Sequence, residues 1–223
     1  MIHSLSKEVL ELNKETFLNL VKEISTEGAD INGLVEMLET SDFFTAPAST
    51  LYHDNYEGGL CQHSLDVYYN LIMLANTFMP GTYLKDALIE VALFHDISKI
   101  NFYEKYFQNK KIYSPQGFKY DEGGRFDWKS IESYRVKDNE NRFLAGSHGL
   151  NSYMIISRYL PLADDAIIAI VNHHCGMGEA NQERDLTAIL GRYPLLTLLH
   201  TADFLAAYGL HLPQENAITA THE

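Results

Sequence analysis

The side chains best suited to chemistry in this sequence are histidines and aspartates that have apolar neighbours. They are His63, His95, Asp96, His148, His173, His174 and Asp203. Imidazole and carboxylate groups are the usual protein ligands of zinc, manganese and iron. An aspartate buried without a cation or hydrogen-bond donors is strongly destabilising, so Asp96 and Asp203 each need a partner. The pattern therefore predicts a metal-dependent hydrolase.

The adjacent pair His95 and Asp96 suits two metal ions better than one. Neighbouring side chains on a helix point about 100° apart, so the pair cannot hold one ion as residues four apart would. Each carboxylate oxygen of Asp96 can instead bind its own cation. We expect two divalent metal ions (Mn, Fe, Ni, Co, Zn or Mg) and a bridging hydroxide that attacks phosphorus. The two predicted ligand sets share Asp96, with His63, His95 and Asp203 in one and His148, His173 and His174 in the other.

Some of these histidines have a simpler interpretation. A lone histidine on an apolar helix is more often a packed core residue than a ligand, which applies to His148. One of His173 and His174 could ligate while the other orients it. We expect His200, one turn before Asp203, to orient a neighbour or to pack. The remaining histidines lack such a context and are assigned to the surface: His3, His53, His211 and His222.

Lys99 is the predicted catalytic cation. It follows Asp96 by three positions and would project from the same helix face. There its ammonium could bind phosphate oxygens and neutralise charge in the transition state, although an exposed, solvated lysine is the alternative. Arg125 and Trp128 are candidate substrate contacts in an aromatic segment, residues 108–140, where Arg125 could hold a phosphate and the rings could stack a base. The same rings could form the core of a small sheet.

Composition places the chain among globular proteins. Its 223 residues are 46% hydrophobic and 21% charged, enough for one well-filled domain. Seventeen Lys and Arg against 30 Asp and Glu give a net charge of −13, which lacks the basic footprint that duplex DNA or long RNA requires. Cys61 and Cys175 form no disulfide framework and are expected to be reduced packing residues. Neither a signal peptide nor a membrane-length apolar stretch is present, so we expect a cytoplasmic protein.

Apolar periodicity predicts a mainly helical chain. The predicted helices cover residues 7–24, 31–38, 60–78, 82–96, 148–159, 164–174 and 194–208. Gly58 and Gly59 precede the third of these and permit a close backbone approach beside His63. Alternating residues around a glycine-rich turn predict a β-hairpin inserted at 108–140.

The whole chain is predicted to form a single structural domain. Residues 1–45 are an N-terminal helical extension packed on the core, residues 46–209 form the main domain with the 108–140 insertion, and residues 210–223 are a flexible tail.

Three segments together resemble the HD-domain superfamily of metal-dependent phosphohydrolases. The superfamily pattern H…HD…D is matched by His63, His95, Asp96 and Asp203. These motifs are most similar to those in the HD domains of bacterial 3′–5′ exoribonucleases. Residues 56–65 are similar to their Y-x-GGL-x-x-H-[ST]-L, residues 94–99 to their HDIGK with Ser98 in place of glycine, and residues 199–203 to their LHxAD.

The resemblance, over about residues 45–208, implies an all-α fold with about five core helices around the metals. The histidines at 148, 173 and 174 are similar to those of members that bind two metals. The implied activity is a metal-dependent phosphodiesterase or phosphomonoesterase acting on a nucleotide, a cyclic nucleotide or another small phosphate ester. Residues 1–45 do not resemble the nucleic-acid-binding barrel of the exoribonucleases, which disfavours polymeric RNA as the substrate.

Two other functions are compatible with these residues. Some HD-fold proteins hold a diiron centre and oxidise their substrates with dioxygen, which iron content and oxygen consumption would reveal. A non-catalytic, metal-stabilised binding module would turn over no phosphate ester, and Asp96→Ala or His148→Ala would unfold it or abolish partner binding. The expected partner is a small, nucleotide-like phosphorylated molecule, with no membrane and no long nucleic acid, while the oligomeric state is open.

Overall fold

The protein is mostly helical and carries one small antiparallel sheet. The computed structural model describes residues 5–50, 52–143, 146–175 and 183–209. The helices in these ranges are Lys7–Glu23 (α1), Ile31–Thr40 (α2), Gly59–Phe78 (α3), Lys85–Phe94 (α4), His148–Ile156 (α5), Asp164–Asn172 (α6), Glu183–Arg192 (α7) and Pro194–Ala207 (α8). Among the described helices, none combines the length and the apolar character that crossing a bilayer requires.

Helix α3 is the central element of the bundle. Most of its side chains are buried, because α4 and α8 pack on it and α1 covers a further part. The first position of this helix requires a glycine, Gly59, because a Cβ there would lie only 2.0 Å from the carbonyl oxygen of Asp54. The predicted close backbone approach at the glycine pair is therefore confirmed, and it presses the preceding loop against α3.

The N-terminal helices share the core of the bundle. Phe17 of α1 contacts Phe43 and Phe94, with ring centroids 4.8 and 6.0 Å apart. All three rings are buried, and Leu34 of α2 lies in the same hydrophobic cluster. Burying one side chain of this size stabilises the folded state by about 1.5–3 kcal/mol.

Helices α5 and α6 approach each other closely. Gly149 makes this possible, since a Cβ at that position would lie 2.4 Å from the carbonyl oxygen of Val171. The approach sets His148, the first residue of α5, beside His173, which caps the end of α6. Helix α6 also packs on α8 and α4.

The inserted sheet consists of strands Tyr103–Tyr113 (β1), Lys119–Asp121 (β2) and Gly124–Val136 (β3) in the order β1-β3-β2. All pairings are antiparallel, and Tyr103 pairs with Val136 at one end of the β1–β3 ladder. The predicted antiparallel insertion is thus present, but it has three strands and begins five residues earlier than position 108. We refer to residues 103–136 as the arm.

Two other features differ from the sequence-based expectations, and a third expectation is not tested. Helix α4 starts at Lys85 instead of residue 82 and ends at Phe94, before the His95–Asp96 pair. Helix α7, Glu183–Arg192, was not predicted, although its sequence is amphipathic. The predicted flexible tail, residues 210–223, lies outside the described residues.

Candidate metal centre

The helices bring the predicted ligands together inside the bundle. They come from the second turn of α3 (His63), the residues just after α4 (His95 and Asp96), the start of α5 (His148), the residues just after α6 (His173 and His174) and α8 (Asp203). Ligand atoms within 4.8 Å of one another form three overlapping groups, which are Asp96 with His148, His173 and His174, Asp96 with His63 and His95, and Asp203 with His95 and His173. Residues more than 100 positions apart therefore meet at one point.

The carboxylate of Asp96 lies between two sets of histidines. Its Oδ2 atom is 3.7 Å from His63 Nε2 and 3.5 Å from His95 Nε2. Its Oδ1 atom contacts His148 Nε2 and is 3.5 Å from His173 Nε2. Each oxygen thus faces a different pair of imidazoles, which is the arrangement that a carboxylate shared by two cations needs.

The end of α4 explains how Asp96 reaches this position. His95 still has helical dihedrals (φ −56°, ψ −34°), but Asp96 departs from them (φ −108°, ψ 13°) and a 3-10 turn, Ile97–Lys99, follows. The prediction that Lys99 continues the same helix face is therefore wrong. Lys99 nevertheless lies at the site, because the tight turn brings its Nζ to 2.6 Å from Asp96 Oδ2.

The contact between Lys99 and Asp96 determines their charges. Burial favours a neutral Asp96, but the Lys99 ammonium and the neighbouring imidazoles outweigh burial and hold the pKa of this carboxyl well below its usual range. Burial likewise acts against the charge of Lys99, but Asp96 outweighs it, so that the pKa of the ammonium is raised. The two groups are a buried ion pair at neutral pH.

Two backbone carbonyl groups orient the deeper histidines. His95 Nδ1 lies 2.8 Å from the oxygen of Ala92, and His173 Nδ1 lies 2.7 Å from the oxygen of Ile170. A carbonyl oxygen only accepts hydrogen bonds, so each Nδ1 carries the hydrogen, and in the neutral ring each Nε2 presents a lone pair to the cluster. The Nε2 atoms of His63, His95 and His173 are buried and make no hydrogen bond of good geometry. Such buried, unpaired nitrogen atoms fit metal ligation.

The imidazoles in the cluster differ in their affinity for protons. Burial lowers the pKa of His95 to about 3, so this ring is neutral at neutral pH. Burial also acts against a charge on His63 and His173, but Asp203 and Asp96 outweigh it and raise the pKa of both rings. Asp203, whose Oδ1 is 3.1 Å from His63 Nε2, has a lowered pKa in turn. A metal ligand must be deprotonated, so these two histidines would hold a cation less readily at low pH.

A buried pair of serines supports His148. Ser98 Oγ lies 2.8 Å from His148 Nδ1, and the hydroxyl of Ser152 donates to Ser98 Oγ over 3.0 Å. The backbone N–H of Ser98 in turn donates to Ser152 Oγ at 3.2 Å. These contacts fix the ring plane of His148 and aim its Nε2 at Asp96.

A pocket of about 930 Å³ opens from the cluster to the protein surface. The charged and imidazole groups on its wall are Asp96, Lys99, His174, Asp203, His53 and His200. The aromatic groups on its wall are Tyr52, Phe204 and Tyr208, all of them exposed. The rings of Phe204 and Tyr208 contact each other, with centroids 4.6 Å apart. The pocket therefore joins a polar floor to an aromatic mouth.

Sequence reasoning missed His53 and Asp54. The ring of His53 contacts that of His63, with centroids 4.7 Å apart, and burial lowers the pKa of His53 to about 4. Asp54 Oδ2 is 3.9 Å from His63 Nδ1, and Asp54 Oδ1 accepts a hydrogen bond from Tyr56. The available signal was Gly59, whose missing side chain lets this loop reach α3.

The remaining predicted residues fall into two groups. His200 orients a neighbour as expected, since its Nδ1 lies 2.7 Å from the carbonyl oxygen of His173. Arg125 and Trp128, predicted to contact substrate, are not brought to the cluster. Trp128 pairs with Lys111 in the arm, about 26 Å along the strand from Tyr103, and Arg125 lies farther out. Both cysteines are free thiols, as predicted.

No protein-family model matches this chain, and neither a curated protein nor a solved structure resembles it. The functional assignment therefore depends on the geometry of the site and on the chemistry of its residues.

Proposed function

We propose that this protein is a dinuclear-metal-dependent phosphohydrolase with an HD-domain bundle. The observation that supports this most directly is the position of Asp96, whose two oxygens face separate sets of histidines. One cation would be held by His63, His95, Asp96 and Asp203. The other would be held by Asp96, His148, His173 and His174.

The donor set fits divalent cations of the first transition row. It contains imidazole nitrogen and carboxylate oxygen and no thiolate, a mixture that suits manganese, iron, cobalt, nickel and zinc. Bound in such a pair, the cations supply Lewis acidity and a hydroxide nucleophile near neutral pH. The protein contributes the orientation of the ligands, through the carbonyl contacts of His95 and His173 and the serine contact of His148.

Lys99 is positioned to act on the phosphate. Lys99 lines the pocket together with Asp96, and its raised pKa keeps its ammonium charged at neutral pH. In hydrolysis, water adds to phosphorus, the bond to the leaving oxygen breaks, and negative charge accumulates on the phosphoryl oxygens. An ammonium beside those oxygens stabilises this charge more in the transition state than in the ground state.

The pocket favours a small ester that carries a planar ring. Its volume, about 930 Å³, suits a ligand of nucleotide size and is within the range of small-molecule sites. Tyr52, Phe204 and Tyr208 offer exposed aromatic surface next to the polar floor, on which a base could stack. We therefore propose a nucleotide or cyclic nucleotide as the substrate, bound through these rings instead of Trp128.

Hydrolysis of bis(p-nitrophenyl) phosphate and p-nitrophenyl phosphate tests the reaction class. The assay compares Mn²⁺, Ni²⁺, Co²⁺, Fe²⁺ and Mg²⁺, with folded Asp96→Ala as the control. We expect metal-dependent release of nitrophenol that the variant loses, and the preferred ester separates a diesterase from a monoesterase. Iron-dependent oxygen consumption without hydrolysis would instead identify an oxygenase. A folded protein that binds two cations but performs neither reaction would contradict both enzymatic assignments.

A further inference from the structure

His63 lacks the orienting contact that the neighbouring histidines have. Backbone carbonyl groups accept hydrogen bonds from Nδ1 of His95 and of His173, and a serine hydroxyl lies 2.8 Å from Nδ1 of His148. His63 Nδ1 is buried as well, but it makes no hydrogen bond within the part of the chain that the structure describes. Buried polar atoms normally have a partner, so this nitrogen calls for an explanation.

A carboxylate oxygen lies close to this nitrogen. Asp54 Oδ2 is 3.9 Å from His63 Nδ1, whereas a hydrogen bond would need a separation about 1 Å shorter. Oδ2 is itself buried and has no hydrogen-bond partner among the described residues. An unused carboxylate oxygen and an unused ring nitrogen therefore lie side by side, and a small movement would join them.

The loop before α3 holds Asp54 firmly in this position. Asp54 has a left-handed backbone conformation (φ 47°), which is uncommon for residues other than glycine but is tolerated by aspartate and asparagine. Its backbone oxygen accepts a hydrogen bond of 3.0 Å from the N–H of Ala48, and its Oδ1 accepts one of 2.6 Å from the hydroxyl of Tyr56. These contacts leave Oδ2 as the acceptor that is still free to pair with His63.

The residues before Asp54 bring the same loop against the ring of His63. Ser49 Oγ donates a hydrogen bond of 2.6 Å to the carbonyl oxygen of His53, and the N–H of Tyr52 donates to Ser49 Oγ over 3.0 Å. The ring of His53, held in this way, contacts that of His63, with centroids 4.7 Å apart. The loop thus packs on the imidazole of His63 and also brings an acceptor close to its Nδ1.

We propose that Asp54 is the positioning residue of His63, and that its Oδ2 accepts a hydrogen bond from Nδ1–H when Nε2 ligates a cation. This role rests on the dinuclear centre proposed above. A cation on Nε2 leaves the hydrogen on Nδ1, where a carboxylate acceptor fixes the ring plane and makes the imidazole a stronger ligand. Joining the two atoms breaks no described hydrogen bond, because neither Oδ2 nor Nδ1 makes one.

Asp54→Gly tests this role by calorimetric titration with Mn²⁺. Glycine adopts a left-handed backbone without strain, so the variant removes the carboxylate and keeps the loop conformation, which circular dichroism checks. One of the two binding events should weaken about 10–100-fold and the other should not change. Ser98→Ala, which acts on His148, should weaken the other event, so that the double variant weakens both. Asn55→Ala, at the exposed neighbouring position, is the matched control and should change neither event.

NMR of the imidazole groups in the Zn²⁺-loaded protein provides a readout that a merely structural loop would not change. The Nδ1 hydrogen of His63, bonded to a buried carboxylate, should give a downfield proton signal that exchanges slowly with water. Asp54→Gly should lose this signal, and Asn55→Ala should keep it. Two cations bound equally well by Asp54→Gly, or an unchanged His63 signal, would overturn the role of Asp54 alone. An original chain that binds no divalent cation would overturn the dinuclear centre and this role with it.

Discussion

Replacing Ser98 by alanine should weaken cation binding at one of the two proposed sites and leave the other unchanged. In the structure, Ser98 Oγ is 2.8 Å from His148 Nδ1, and the other hydrogen bonds described for Ser98 go to Ser152, not to His63 or His95. A hydroxyl both donates and accepts. It can therefore donate to Nδ1 while His148 Nε2–H contacts Asp96, and accept from Nδ1–H once Nε2 ligates a cation.

The magnitude follows from what the substitution removes. Losing the hydrogen-bond partner of a metal-binding histidine lowers metal affinity about 10–100-fold, or about 1.4–2.7 kcal/mol. The fold itself should lose about 1 kcal/mol, the usual net value of a hydrogen bond. The lost bond here is the one that Ser152 donates to Ser98 Oγ.

Isothermal titration calorimetry with Mn²⁺ measures both sites of the metal-free protein. We expect two binding events in the original chain and, in Ser98→Ala, one unchanged and one weakened event. Nitrogen-15 NMR of the imidazoles provides an independent readout, because the hydrogen of His148 should move from Nε2 to Nδ1 on loading. Ser152→Ala is the matched control, since Ser152 touches Ser98 and makes no hydrogen bond to His148; its effect should be smaller. Equal weakening of both events, or none, would refute the reasoning.

Four further changes have defined outcomes. Asp96→Asn should lower the affinity for both cations and abolish hydrolysis, because an amide offers one oxygen where the carboxylate offers two. Calorimetry measures the affinity and nitrophenol release measures the hydrolysis. Gly149→Ala should lower the free energy of unfolding by about 1–3 kcal/mol in urea, because its Cβ would lie 2.4 Å from the oxygen of Val171. Phe204→Ala should raise KM for a nucleotide about 5–100-fold through lost stacking and leave KM for methyl phosphate unchanged. The metal-free protein should lose stability below pH 6.5, the ordinary pKa of histidine, because burial lowers the pKa of His95 to about 3. The unfolded chain then binds a proton that the folded chain does not, which costs about 1.4 kcal/mol per pH unit in urea denaturation.

The three substitutions each have a control in the same chain. Asp127 lies in the arm, so Asp127→Asn should leave the affinity for both cations and the rate of hydrolysis unchanged. Gly191→Ala is the counterpart of Gly149→Ala, because a Cβ there meets no atom within 4 Å. Phe78→Ala removes an exposed ring away from the pocket and should not change KM. Constant stability between pH 4 and pH 6.5 would contradict the neutral, buried state of His95.

Local sequence was enough to single out most residues of the buried cluster. An aspartate and histidines within apolar segments require partners wherever the chain folds, so His95 and Asp96 could be singled out without coordinates. Helical periodicity likewise located α1, α3 and α8 to within a few residues. These inferences succeed because burial cost and side-chain period are properties of short segments.

Contacts between segments that are distant in the chain cannot be read from short sequence patterns. The turn after α4 directs one oxygen of Asp96 to each set of histidines, and its dihedrals depend on the packing of Ile97, which is fully buried. His53 looked like a surface residue because only the approach of its loop to α3 places it against His63.

The arm shows most clearly how local sequence and tertiary structure determine different features. Alternating residues indicated strands and a turn, and this pairing is local in the chain. The direction in which the arm projects depends on its base contacts with Ala48 and Glu57, more than 40 residues away in sequence. Sequence alone therefore determined the residue types of the buried cluster and most of the helices. Only the tertiary structure decided which residues share the site, because the positions of Lys99, Trp128 and Asp96 depend on contacts between distant segments.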